Sequence, residues 1–185
     1  MDNRAALRET RRVKRSLAIS YAILTTILSA FSAALYVIVA RGAAGAADPK
    51  ELIRPVVALV VLTGIVWVLM FAVRNVTVAR GDASILYYQT YRASEAPSEW
   101  IERPARTFMN LLEVPVLFYV VCILMLVTRA CDAAQVELAW VFVGTRVLHA
   151  ILYIGINHVP SRLGSYVAGG VTLAVIWFRF ASQAM

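Results

Sequence analysis

Charge is scarce in this sequence. Only 16% of its 185 residues are Asp, Glu, Lys or Arg, well below the share carried by soluble domains. There are two cysteines and two histidines, and none falls in a zinc-binding spacing. Cys122 lies inside an apolar block and Cys131 in a short polar segment, so the expectation is two packing residues, no disulfide and no metal site. The +7 net charge comes without the aromatic-interleaved basic surface of a nucleic-acid binder, which sets nucleic acid aside as a partner. No internal repeat, low-complexity tract beyond GAAGAA or pair of broken helices appears, and a transporter is disfavoured accordingly.

What is abundant is apolar sequence: 61% of the residues are hydrophobic and the mean hydropathy is +0.72. These residues fall in long uninterrupted blocks, the pattern of helices solvated by lipid. Five spans are expected, over 17–40, 52–73, 107–127, 136–156 and 163–180. The first block follows a basic run and could pass for a signal peptide, but it exceeds the roughly 7–15 apolar residues of one. Pro55 sits in the first turn of the second span, where its missing N–H is harmless. Trp100, Trp140 and Trp177 lie near span ends, as interfacial aromatics do. Lys and Arg concentrate in Arg4–Arg15, in the 74–106 segment and at Arg162. The positive-inside rule then puts the N-terminus in the cytoplasm and the C-terminus outside, with the basic charge also suited to anionic lipid.

Polar residues inside such spans are costly and mark function or pairing. Arg106, Asn110 and Glu113 recur at i, i+4, i+7; Arg146, His149 and Tyr153 at i, i+3, i+7; Arg162 and Tyr166 at i, i+4. Each set stacks on one helical face near the same end of its span. Several guanidinium groups beside one carboxylate, an amide, an imidazole and two phenols suit a zwitterion with several carboxylates, since arginine forks grip carboxylates through paired bonds. Structural readings stand alongside: an Arg106–Glu113 ion pair, arginines snorkelling to lipid phosphates, and a satisfied interior His149.

The segments ERPARTFMNLLEVPVLF (102–118) and RVLHAILYIGINHVPSRLGSY (146–166) resemble the MAPEG family, membrane-associated proteins of eicosanoid and glutathione metabolism. The second segment is most similar to microsomal prostaglandin E synthase-like members. The resemblance implies an all-α, integral-membrane four-helix bundle, here residues 52–185, assembled as a homotrimer that binds glutathione between subunits. An extra transmembrane helix (17–40) and a basic cytoplasmic tail (1–16) would precede it. It further implies that Arg106, Asn110 and Glu113 hold the glutamyl end of glutathione, that Arg146, His149, Tyr153 and Tyr166 line the same site, and that Arg162 stabilises the thiolate as the catalytic residue. Arg74 corresponds to a further glutathione contact, although no motif anchors it and Arg80 competes. Leu163 stands where the prostaglandin synthase-like members carry a serine, a departure that weighs against prostaglandin isomerisation more than against glutathione binding.

The implied function is a glutathione-dependent transferase or peroxidase acting on lipophilic electrophiles in a bacterial inner membrane. The alternative is a non-catalytic lipid-binding or accessory subunit whose N-terminal helix docks on a partner membrane protein.

Overall fold

The computed structural model describes residues 3–42, 45–82, 84–90 and 97–184, with backbone alone for 3–13 and 17. Of the basic residues used above for orientation, the side chains of Arg4, Arg8, Arg11 and Arg12, and all of Arg92, lie outside the described residues.

The described chain is helical, with no named strand among the described residues. It comprises α1 (Asn3–Gly42), a 3-10 turn (Pro49–Leu52), α2 (Ile53–Arg80), α3 (Ile85–Thr90), α4 (Glu99–Thr128), α5 (Ala133–Ile151) closing in a π turn (Leu152–Ile156), and α6 (Val159–Ala184). Five of these stretches are long and apolar enough to cross a membrane: 14–42, 49–80, 99–128, 133–156 and 159–184. Each overlaps one expected span, and most run past it. α4 is the clearest case. Its first two turns, EWIERPAR, carry too much charge to register as hydrophobic, yet they are built mostly of good helix formers and propagate the helix outward. Pro115 lies within α4 and is buried, a placement tolerated in transmembrane helices because neighbouring groups re-satisfy the freed carbonyl.

In lipid, apolar burial does little to bring helices together, so close approach at small residues and interhelical polar contacts matter more. Both are present. α2 packs on α4, α5 on α6, and α1 lies across α5 and α6. Gly42 of α1 sits directly on Ala134, and a Cβ at Gly164 of α6 would land on Leu24 of α1. The shared core includes Leu59, Val66, Leu111, Phe118, Phe142 and Ile176, with the Phe118 and Phe142 rings stacked at 4.7 Å. At one end of the bundle, Asp132 caps α5 through Gln135 and receives Arg179 and Gln183 of α6. Burial there, together with the charges of Asp132, Glu51 and Asp48, pushes the Cys131 thiol up to about 11, so it stays protonated near neutral pH and is a poor nucleophile. The expected site residues collect toward the opposite end, where α2 stops, α4 starts, and α5 turns into α6.

Candidate functional site

The α5–α6 junction is the organising feature. α5 does not end in a simple turn. It widens into the π turn Leu152–Ile156, closed by the Asn157 N–H on the Leu152 carbonyl at 2.7 Å. Asn157 adopts the left-handed conformation (φ 50°), which asparagine tolerates better than most residues. α6 then starts at Val159, with Pro160 in its first turn, where an N–H would be unpaired in any case. The link is only two residues long, so the last turns of α5 and the first turns of α6 face each other.

Five expected residues converge across that junction. Arg146 is 1% exposed, and its Nη2 donates to the carbonyls of Ser165 (3.2 Å) and Tyr166 (3.1 Å). Its guanidinium lies over the Phe142 ring at 5.3 Å and the Tyr166 ring at 5.4 Å. His149, also buried, sits 5.8 Å from the Tyr153 ring and 5.7 Å from the Tyr166 ring. Its Nδ1 lies 3.2 Å from the Arg162 carbonyl and 3.1 Å from Ser165 Oγ. The Ser165 hydroxyl itself donates to that carbonyl at 2.9 Å, and a single hydroxyl hydrogen cannot serve both. The network therefore favours a hydrogen on Nδ1 and a lone pair on Nε2. Arg162 lies 4.2 Å over the Tyr153 ring, and its Nη1 donates to Asn157 Oδ1 at 2.7 Å.

The chemistry of this cluster is unbalanced. Among the described residues, neither Arg146 nor Arg162 has a carboxylate partner. Arg146 Nε and Nη1 and His149 Nε2 are buried without any hydrogen-bond partner. An unpaired buried guanidinium N–H is expensive, and bound water or an anionic ligand are the usual remedies. Room for the guanidinium is made by Gly169, where a Cβ would land on Arg146 Nη2 and lie 2.7 Å from Thr145 Oγ1.

The other expected residues lie apart from this cluster within one chain. Arg106 and Glu113 are exposed on α4 and Asn110 is half-buried, on a helix face they share with exposed Met109, Val116 and Val120. Among the described residues the side chains of these three make no hydrogen bond or ion pair, so the structural Arg106–Glu113 pair does not form. Arg74 forms a separate group at the end of α2. Its Nη2 is 4.0 Å from Glu102 Oε2 and its guanidinium is 5.0 Å from the Tyr88 ring centroid on α3. Burial and the Glu102 charge both push the Tyr88 hydroxyl up. Arg74 Nε and Glu102 Oε1 remain unpaired.

Two residues of this end, Glu99 and Asn157, escaped the sequence reading. Asn157 Nδ2 donates to Glu99 Oε1 while its Oδ1 holds Arg162, so a Glu99–Asn157–Arg162 chain ties α4 to α6. Only the left-handed preference of asparagine could have flagged position 157. Ser165 meets His149, whereas Leu163 points outward and is 43% exposed.

No curated protein matches the chain. The family model described as MAPEG family matches residues 52–182, from the 3-10 turn through nearly all of α6 and more than two thirds of the chain, with α1 preceding the matched region. The chain is thus an integral membrane protein of the MAPEG family.

Proposed function

We propose that this protein is a glutathione-dependent membrane transferase or peroxidase acting on lipophilic electrophiles, with affinities to the prostaglandin E synthase-like members of its family. The observation that carries the reading is the buried, carboxylate-free Arg146 with two unpaired nitrogens, Nε and Nη1, beside an equally carboxylate-free Arg162. An anionic ligand would satisfy both the unpaired donors and the uncompensated charge, whereas water would satisfy only the donors.

When bound, glutathione supplies the thiol nucleophile and two carboxylates. Arg162 places positive charge beside the sulfur and favours its ionised form. Asn157 holds the Arg162 guanidinium, and Tyr153 supplies the ring on which it lies. Arg146 donates to ligand oxygens, and His149 offers Nε2 as an acceptor. Arg106, Asn110 and Glu113 face outward, so in a homotrimer the glutamyl end would be held by α4 of a neighbouring subunit, with Glu113 accepting its ammonium. Arg74 would extend that contact from α2. On this reading the membrane is a bacterial inner membrane, and the Lys and Arg distribution supports an orientation with the site toward the cytoplasm.

Two measurements test this. Titration calorimetry on the detergent-solubilised protein should show glutathione binding, and S-methylglutathione should compete. Absence of both would remove the reading. Gly169→Ala should weaken that binding by about tenfold or more, roughly the effect of one lost charge-assisted bond, because the new methyl displaces Arg146. Thermal stability should fall as well, since the methyl also meets Thr145 Oγ1 and the displaced guanidinium loses its bonds to the Ser165 and Tyr166 carbonyls, so binding is compared well below the variant's melting temperature. Wild-type affinity in Gly169→Ala would take Arg146 out of the site.

A second reading, a non-catalytic accessory subunit, draws on α1. That helix lies outside the family match, and its most apolar window is only 6% buried, which leaves it surface for a partner. Glutathione binding without turnover of any lipophilic electrophile would favour it.

A further inference from the structure

α1 does more than lie against the bundle. Between it and the α5–α6 hairpin is a cavity of about 360 Å³, within the range of ligand sites. Its long wall is apolar: Ile27, Leu28 and Phe31 of α1 face Leu148, Leu152 and Ala168. The polar residues deeper in that wall are already engaged. The Thr145 hydroxyl donates to the Phe142 carbonyl at 2.7 Å, and the Ser165 hydroxyl to the Arg162 carbonyl. Close packing of Leu24 on Gly164 fixes α1 at this distance and helps to wall the space.

One end is different. There His158 Nδ1 and Ser161 Oγ, 2.9 Å apart, line the cavity with Ser20. Ser20 also lines a shallower concavity that continues along α1 to Ser16 and Arg15. Among the described residues, Arg15 and its neighbour Lys14 have no acidic partner. The feature is therefore a slot for a hydrocarbon chain with a cationic, hydrogen-bonding mouth.

We propose that this crevice holds one acyl chain of an anionic glycerophospholipid, with its phosphate at Arg15, His158 and Ser161. The match is one of chemistry at both ends. A saturated chain fills an apolar slot that opens among membrane-spanning helices, and a phosphate meets the Arg15 guanidinium, the His158 imidazole and the Ser161 hydroxyl. Basic sites between transmembrane helices are established binders of anionic headgroups. A zwitterionic lipid would offer the same chain but a weaker headgroup match. The proposal stands independently of the glutathione reading, since it uses neither Arg146 nor Arg162.

The test is photo-crosslinking of the full-length protein in nanodiscs, using phosphatidylglycerol with a diazirine near the end of one acyl chain. Labelling should concentrate in residues 23–31 and 148–152, several-fold above that from the matching phosphatidylcholine probe. Arg15→Gln with His158→Ala should erase the preference for phosphatidylglycerol while the wall residues are still labelled. Leu28→Trp, which fills the slot from α1, should abolish labelling there and leave glutathione calorimetry as in the wild type. If that calorimetry fails in every form but the labelling pattern holds, the functional proposal falls and this one stands. Uniform labelling of all five spans, equal labelling by phosphatidylcholine, or labelling by a diazirine fatty acid alone would each overturn it.

Discussion

Replacing Arg162 with alanine is expected to lower the thiolate fraction of bound glutathione about 25-fold at neutral pH. A free thiol titrates near ~8.5, and an adjacent cation lowers an acid by about 1–3 pKa units. Taking about 2, the bound thiol is roughly three-quarters ionised at pH 7 with the arginine and roughly 3% ionised without it. Turnover should fall by less. A thiolate formed at higher pKa is intrinsically more nucleophilic, with a Brønsted slope of about 0.4–0.5, which returns close to tenfold of the loss. The expected drop in rate at neutral pH is then roughly 3- to 25-fold, the lower bound applying if Arg162 acts only on the ground state. The sign of the pH dependence follows. The wild-type rate should level off once pH exceeds its depressed thiol pKa, while the variant's rate keeps rising toward pH 9, so the two profiles converge or cross. A merely damaged fold would lower the variant's profile at every pH. Thiolate absorbance of the glutathione complex and the pH–rate profile are the readouts, with Arg162→Lys as the partial rescue. An unshifted profile would exclude Arg162 from thiolate activation.

The membrane helices were legible because hydropathy reports which residues lipid can solvate, and it fails where lipid ends. The apolar blocks located all five spans, but not the charged turns by which α4 starts at Glu99 rather than near Thr107. The polar stripes were legible for a similar reason: in a background of leucine and valine, residues at i, i+3, i+4 and i+7 stand out and share a face. Periodicity does not say which way that face points. It put Arg106 and Glu113 in phase with each other and Arg146 with His149, yet one pair is exposed on α4 and the other buried between α5 and α6.

Residues that act through another side chain were the least visible. Glu99 and Asn157 are 58 positions apart, and each alone is an ordinary polar residue at a helix end. Their role arises from the π turn, which moves Asn157 to where it can reach both Glu99 and Arg162. That turn has no hydrophobic signature, since LYIGI would sit equally well in a regular helix. Gly169 is similar: one of nine glycines in the sequence, it becomes meaningful only once Arg146 is seen to occupy the space beside it.

The largest stability effect is expected at the other end of the bundle, at Asp132. Its Oδ1 accepts from the Gln135 N–H at 3.0 Å, while Gln135 Oε1 accepts from the Asp132 N–H at 2.9 Å, a reciprocal cap that starts α5. Its Oδ2 takes Arg179 Nε at 2.8 Å and is also reached by Arg179 Nη2 and Gln183 Nε2, so the carboxylate ties the last turns of α6 to the first turn of α5. Asp132 is 7% exposed, and the Arg179 side chain 14%. Asp132→Ala therefore loses a cap, costing about 1 kcal/mol, and strands a nearly buried guanidinium, costing about 3–5 kcal/mol. For a chain of this size each kcal/mol lowers Tm by about 2–4 °C, so a fall of roughly 10 °C or more is expected in detergent. Asp132→Asn keeps the capping oxygen and should recover the smaller part. Arg179→Met added to Asp132→Ala removes the stranded charge and should recover the larger part, because the cost lies in the unpaired cation more than in the missing attraction. Equal melting temperatures for the single and double variants would show that Arg179 turns out to solvent once released and that the cap alone matters.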